Sequence, residues 1–139
     1  MMENILENFK KNRDMILTKV SYSANDYENY PEEAELKCVD EVKIKSINKD
    51  FILFSIDRIV QSSEQNIFSF LVSYEIKMFF ETAYTDNNYI SEESLLNLIL
   101  SNQDFFFNGC LAKISLIISE ISSKIANGIP IITPPQLVQ

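Results

Sequence analysis

Histidine is absent from this sequence of 139 residues, glycine and cysteine occur only twice each, and there is no tryptophan. Without histidine the chain lacks the commonest general base, the usual activator of a nucleophile and the commonest metal ligand. With only Gly109 and Gly128, neither a G-x-G-x-x-G turn nor a P-loop can be written, because a backbone that wraps phosphate needs several positions free of Cβ. Cys38 and Cys110 stand far apart with no C-x-x-C spacing, so a zinc knuckle or a redox pair is not expected, and buried free thiols in a reducing compartment are. No catalytic set, no cofactor and no metal site is expected.

Positive charge is also scarce. Twelve Lys and Arg against twenty Asp and Glu leave a net charge of -8, a field that repels a phosphate backbone, so no nucleic-acid partner is expected. No run of about 18 apolar residues is present to span a bilayer. Met1 to Arg13 carries Glu3, Glu7, Lys10, Lys11 and Arg13, which does not read as a secretory signal. The expectation is a cytoplasmic protein without membrane insertion, its codon-linked richness in Ile, Asn, Lys, Phe and Tyr pointing to a bacterium.

What is abundant is apolar side chain: 46% of the residues, enough for one core in one domain, residues 1–139, with 1–14 as an N-terminal extension. Ile5, Leu6 and Phe9 fall at helical spacing, with acids early and bases late, and predict a short helix over Met2–Arg13. Ile16–Ser23 alternates, with Ile16, Thr18, Val20 and Tyr22 on one side, as a strand does. Ala24–Glu33, with Asn25, Asp26, Pro31, Tyr27 and Tyr30, is too long for a tight hairpin and reads as a crossover. Glu35–Ile47 and Phe51–Val60 alternate around a turn at Asn48, Lys49 and Asp50. From Phe68 to Phe80 every second residue is apolar, the pattern of a strand with one face deeply buried.

Two helices are then expected. Ser91 precedes Glu92, Glu93 and the run Leu95 to Leu100, an N-cap ahead of an apolar stripe. A longer helix is expected over Asp104–Asn127, closed by Gly128 and Pro130, with a seam of Phe107, Leu111, Ile114, Ile118, Ile121 and Ile125. Between Phe105 and Asn127 only Lys113, Glu120 and Lys124 are charged. Ser115, Ser119 and Ser122 form a small-residue strip there. It can be a solvated serine face or a place of close helix approach; the scarcity of charge favours the second, and Ile118 with the three serines is the expected interface between copies of the chain. The closing segment, Ile129 to Pro135, cannot pair as a central strand. Four strands followed by two helices predict an α+β fold: a four-stranded antiparallel sheet, a long crossover between strands 1 and 2, and two C-terminal helices packed on one face.

The succession Thr18-Lys19, Val20-Ser21-Tyr22, Ala24-Asn25, an aromatic crossover with a proline, a capped helix, Phe106-Phe107, a long helix, Gly128-Ile129-Pro130 and a Pro-rich tail resembles the protein-export chaperone family SecB from Ile16 to Val138. Phe106-Phe107-Asn108-Gly109 stands where the family has Leu-Phe-Pro-Tyr, and Ser23 where a typical member has Glu, with Leu71 at the fourth-strand position that is also acidic in the family. The resemblance implies a holdase that binds unfolded or export-bound polypeptides in hydrophobic grooves without nucleotide, as a homotetramer built as a dimer of dimers. Its groove positions fall on Tyr27, Tyr30, Leu36, Val42, Phe105 and Phe106. Tyr27 and Tyr30 also read as loop anchors, and Phe105 and Phe106 as core. Docking of the export motor SecA is left open by Ser23 and Leu71. The other class of function weighed is an oligomeric adaptor, tied to a toxin–antitoxin pair or a phage, that keeps the fold without general client binding.

Overall fold

A computed structural model of the chain describes residues 6–24, 36–62, 68–81, 90–125 and 130–138. Its elements are β1 (Phe9–Ala24), β2 (Leu36–Ile47), β3 (Phe51–Ser62) and β4 (Phe68–Phe80), then α1 (Glu92–Ser101), α2 (Gln103–Phe107) and α3 (Cys110–Ile125). All ladders are antiparallel and the strand order is β1-β4-β3-β2. The two edges are therefore β1 and β2. The chain passes from one edge to the other through residues 25–35, which include the crossover tyrosines and lie outside the described residues.

Paired residues in a ladder share a face of the sheet. One face carries Ile52 opposite Met78, Phe54 opposite Ile76, Ile56 opposite Tyr74 and Val60 opposite Phe70, all buried. The strict alternation of β4 is thus realised, and the helices supply the cover. Phe54 meets the rings of Phe106 and Phe107 edge-on at 6.1 and 5.9 Å. Leu95, Leu98 and Ile99 of α1 and Leu111, Ile114 and Ile118 of α3 complete the core. Each such fully buried side chain contributes about 1.5–3 kcal/mol.

The expected N-terminal helix is corrected in its second half: Leu6 and Glu7 are helical, residues 2–5 lie outside the described residues, and the chain is a strand from Phe9. Phe9 pairs with Phe80 and stacks on its ring at 4.9 Å, while Arg13 pairs with Met78. A helix of three turns gains little by itself, whereas these residues find an open edge of β4 and a place for an aromatic ring in the core. The faces of β1 are corrected too. A register shift lies between Leu17 and Lys19, so Thr18 is an extra residue and the parity flips. Ile16 stands opposite Glu75 on the uncovered face, while Val20 and Tyr22 stand opposite Val72 and Phe70 on the covered one. A bulge cannot be read from alternation, because it is the break in alternation.

The hairpin between β2 and β3 forms where expected: Asn48 Oδ1 accepts from the amides of Asp50 and Phe51 at 2.9 and 3.0 Å. Ser91 caps α1, its hydroxyl accepting from Ser94 N at 3.1 Å. The single long helix expected from Asp104 is instead two. Asn108 has φ 43° and Gly109 φ 83°, left-handed values that end α2 and restart the chain as α3. The break turns Phe106 and Phe107 as well as Cys110, Leu111 and Ile114 onto the sheet, which one straight helix could not do. Among the described residues three helices after β4, not two, therefore cover the sheet. The expected stop at Gly128 lies outside the described residues.

Candidate functional site

The two edges of the sheet are the first feature. An edge strand shows a row of unpaired backbone groups and is usually blunted by charge or cover. Here both edges carry exposed apolar side chains. On β1 these are Ile16, 60% exposed, with Leu17 and Val20; on β2 they are Leu36, 45% exposed, and Val39. Val39 continues across the uncovered face as an apolar row, Val39–Ile59–Leu71. Leu71 is therefore part of a greasy strip.

Leu36 is exposed and Val42 is half-buried, both on the covered side of β2. Phe105 is half-buried on α2 and lines an open depression of about 490 Å³ at the α1–α2 junction with Leu100 and Gln103. It lies 6.2 Å from the ring of Phe9 and beneath the guanidinium of Arg13 at 5.3 Å. The Nη1 of Arg13 donates to the carbonyls of Phe105 and Phe106, satisfying the end of α2 with a cation, as a helix C-terminus favours. Phe105 thus belongs to the β1 edge and Leu36 and Val42 to the opposite one, so one subunit does not bring them together. Phe106 is fully buried between Phe9 and Phe54. Its ring is core, not surface.

The second feature was not foreseen. Arg58 interrupts the inward row of β3, between Ile56 and Val60, and Asp40 interrupts the inward row of β2, between Cys38 and Val42. The two pair across the ladder. Arg58 Nε and Nη2 donate to Asp40 Oδ1 and Oδ2 at 2.7 Å each, with both side chains 0% exposed. Burial by itself lowers the pKa of Arg58, but the hydrogen bonds and charge of Asp40 outweigh it and hold the guanidinium above its ordinary value. The sequence clue was there: one cation and one anion at matching inward positions of adjacent apolar strands. The Asp40 carboxylate is accordingly enclosed rather than part of the surface charge.

The other hydrogen bonds of Arg58 reach Ser115 of α3 and the C-terminal segment. Nη1 donates to Ser115 Oγ at 3.0 Å, to Thr133 Oγ1 at 3.1 Å and to Pro134 O, and Nη2 to Gln136 O at 2.7 Å. Asp40 N donates to Val138 O at 3.0 Å, and Val138 N to Asp40 Oδ2 at 2.8 Å. Ser122 Oγ accepts from Ile131 N at 2.7 Å. The serine strip of α3 is thus occupied within the chain at Ser115 and Ser122; Ile118 is in the core, and Ser119 is half-buried. The outer side of α3 carries Lys113, Glu120 and Lys124 with Leu116, which is 59% exposed.

Neither thiol is tuned for nucleophilic chemistry. Burial pushes Cys110 up to about 11. Cys38 is raised by burial and by Asp40, with Arg58 opposing. Among the described residues no group of three or more Cys, Asp or Glu is placed to hold a metal ion, and no helix is long and apolar enough to cross a membrane.

No family model and no curated protein matches the chain. Solved structures do. The SecB-like chaperone Rv1957 of Mycobacterium tuberculosis, in complex with a ChAD peptide from the Rv1956 HigA1 antitoxin, superimposes with a TM-score of 0.64 over 95% of this chain and 90% of that one, at 10% identity. The fold is SecB-like. A protein of unknown function from Streptococcus agalactiae matches with a TM-score of 0.41 at 10% identity, over 91% of this chain and 98% of that one.

Proposed function

We propose that this chain is a SecB-like holdase that binds unfolded or export-bound polypeptides through apolar grooves, without nucleotide, as a cytoplasmic homo-oligomer arranged as a dimer of dimers. The observation that carries the reading is the exposure of Ile16, Leu17 and Val20 on one edge strand and Leu36 and Val39 on the other, in a fold of the SecB type. Apolar burial yields about 25 cal/mol per Å², and an open edge adds backbone hydrogen bonds that ignore sequence. Such a surface favours promiscuous capture of extended chains over selective recognition. In the assembled particle the β1 edge and the outer side of α3, with Leu116 and Ser119, contact other copies. Leu36, Val42 and Phe105, with Tyr27 and Tyr30, line the client surface. An assembly is what would bring Phe105 of one edge near Leu36 and Val42 of the other. SecA is no part of the proposal.

A second reading is an adaptor dedicated to one peptide. It is favoured by the antitoxin peptide bound to the structural neighbour. Aggregation of an unrelated unfolded protein separates the two: a holdase at stoichiometric amounts delays it, and a dedicated adaptor leaves the time course unchanged while still binding its own peptide.

A further inference from the structure

The C-terminal segment is held by its backbone carbonyls and by three inward side chains, Ile131, Thr133 and Leu137. Three carbonyls at alternate positions, Pro134, Gln136 and Val138, accept from Arg58 Nη1, Arg58 Nη2 and the amide of Asp40. This is the period-two presentation of an extended chain. Only two amides of the segment bond the seat, Ile131 to Ser122 and Val138 to Asp40, so Pro134 and Pro135, which have no amide proton, leave nothing unmade. The Thr133 hydroxyl bonds Arg58 and Ser115, and Ile131 and Leu137 pack against the core. Ile132, Pro134, Pro135 and Gln136 are exposed, Ile132 by 77%.

The receiving groups are built to survive the departure of what they hold. The Arg58–Asp40 pair is bidentate and closed on itself through Nε and Nη2, and water can replace carbonyl oxygens on the guanidinium. Departure of the segment uncovers the apolar core beneath Ile131 and Leu137, which asks for an apolar replacement, whereas the charged part of the seat regains hydration. The amide of Asp40 that meets Val138 belongs to β2, an edge strand, so the segment occupies the backbone row by which an extended peptide adds to a sheet.

We propose that Arg58, Asp40 and Ser115 form a seat that reads the backbone of an extended peptide, that residues 131–138 of the same chain fill it at rest, and that an apolar, proline-tolerant peptide segment exchanges with them. The ligand class follows from the bonds and the packing: carbonyls at i, i+2 and i+4, a small hydroxyl side chain one residue before the first, apolar side chains three residues before and three after it, and prolines accepted in the middle. A bound tail lowers apparent affinity by the fraction of time the seat is open. The proposal leans on the holdase reading only in taking the exchanging segment to be a client.

The test is a fluorescence-anisotropy titration of the full chain with a labelled synthetic peptide copying residues 129–139. It is done for the wild type and for the double variant Thr133→Val, Val138→Pro, which removes the hydroxyl and one amide from the tail and leaves the seat intact. The variant is expected to bind the peptide at least about tenfold more tightly than the wild type, as an open seat would. In the unaltered chain the Val138 amide is expected to exchange with deuterium at least about a hundredfold faster than the Ile56 amide of β3, through local opening. Equal peptide affinity for variant and wild type overturns the proposal. So does Val138 exchange as slow as Ile56, which needs no variant and makes the tail a fixed part of the fold. A wild-type chain that still delays aggregation after either negative result leaves the holdase reading standing and the seat alone refuted.

Discussion

Arg58 and Asp40 meet across the β2–β3 ladder in a bidentate pair at 2.7 Å, both side chains fully enclosed. A buried pair of this kind stabilises little against an apolar pair of the same size, but either partner alone is costly. Asp40→Ala is therefore expected to destabilise the chain by about 3–5 kcal/mol, read from urea unfolding. The double variant Arg58→Met, Asp40→Leu recovers most of that loss. It is also expected to make residues 130–138 sensitive to proteolysis, since the acceptors of the tail have lost their donors.

Gly109 gives a smaller and cleaner effect. Its φ is +83°, and a Cβ placed there meets nothing within 4 Å. Gly109→Ala thus carries only the conformational cost of a left-handed residue, about 1 kcal/mol, visible as a lower urea midpoint with an unchanged slope.

The thiols give a pH dependence. Cys110 is fully buried, and its pKa rises from 9.0 to about 11 because burial disfavours the thiolate. Between these values the unfolded thiol has lost its proton and the folded one keeps it, so the unfolded state binds fewer protons and stability falls as pH rises. The loss begins near pH 9, is complete above pH 11 and reaches about 3 kcal/mol. Cys110→Ala is expected to flatten that slope. With a thiol reagent at pH 8, half-buried Cys38 is expected to react and Cys110 to react only on unfolding.

The open edges make a prediction about function. Leu36→Asp together with Val39→Lys puts charge on the β2 edge at exposed positions, where stability changes stay within about 0.5 kcal/mol. Delay of client aggregation is expected to weaken several-fold while the circular dichroism and urea midpoint hold. Unchanged protection would move the client surface off β2. Leu17→Lys, on the other edge, is expected to shift the native particle to a smaller mass by sedimentation.

Strand β4 and the Ser91 cap were legible because each rests on a local rule, alternation in one case and an oxygen ahead of an apolar stripe in the other. The N-terminal strand was not: its spacing is helical, and only the empty edge of β4 and the ring of Phe80 make it extend. Thr18 and the Asn108–Gly109 break share one obscurity, being single residues that interrupt a period whose interruption leaves no pattern. Of the groove residues, Leu36 is on the surface and Phe106 is in the core, and nothing local separates a phenylalanine that covers a sheet from one that offers itself to a client. Arg58 and Asp40 were readable as a coincidence of two charges in two apolar rows, but their meaning depended on the β2–β3 register and on a tail some eighty residues further along.

The central claim is that the apolar surface around the β2 edge serves non-native chains, and the most direct measurement presents one unrelated protein in two states. The full chain is mixed, without nucleotide, with a permanently unfolded, reduced and alkylated protein and separately with its native form, and each mixture is weighed by size-exclusion chromatography with light scattering. The account predicts a complex with the unfolded form and none with the native form. No complex with the unfolded form at tenfold excess, or equal complexes with both, would contradict it.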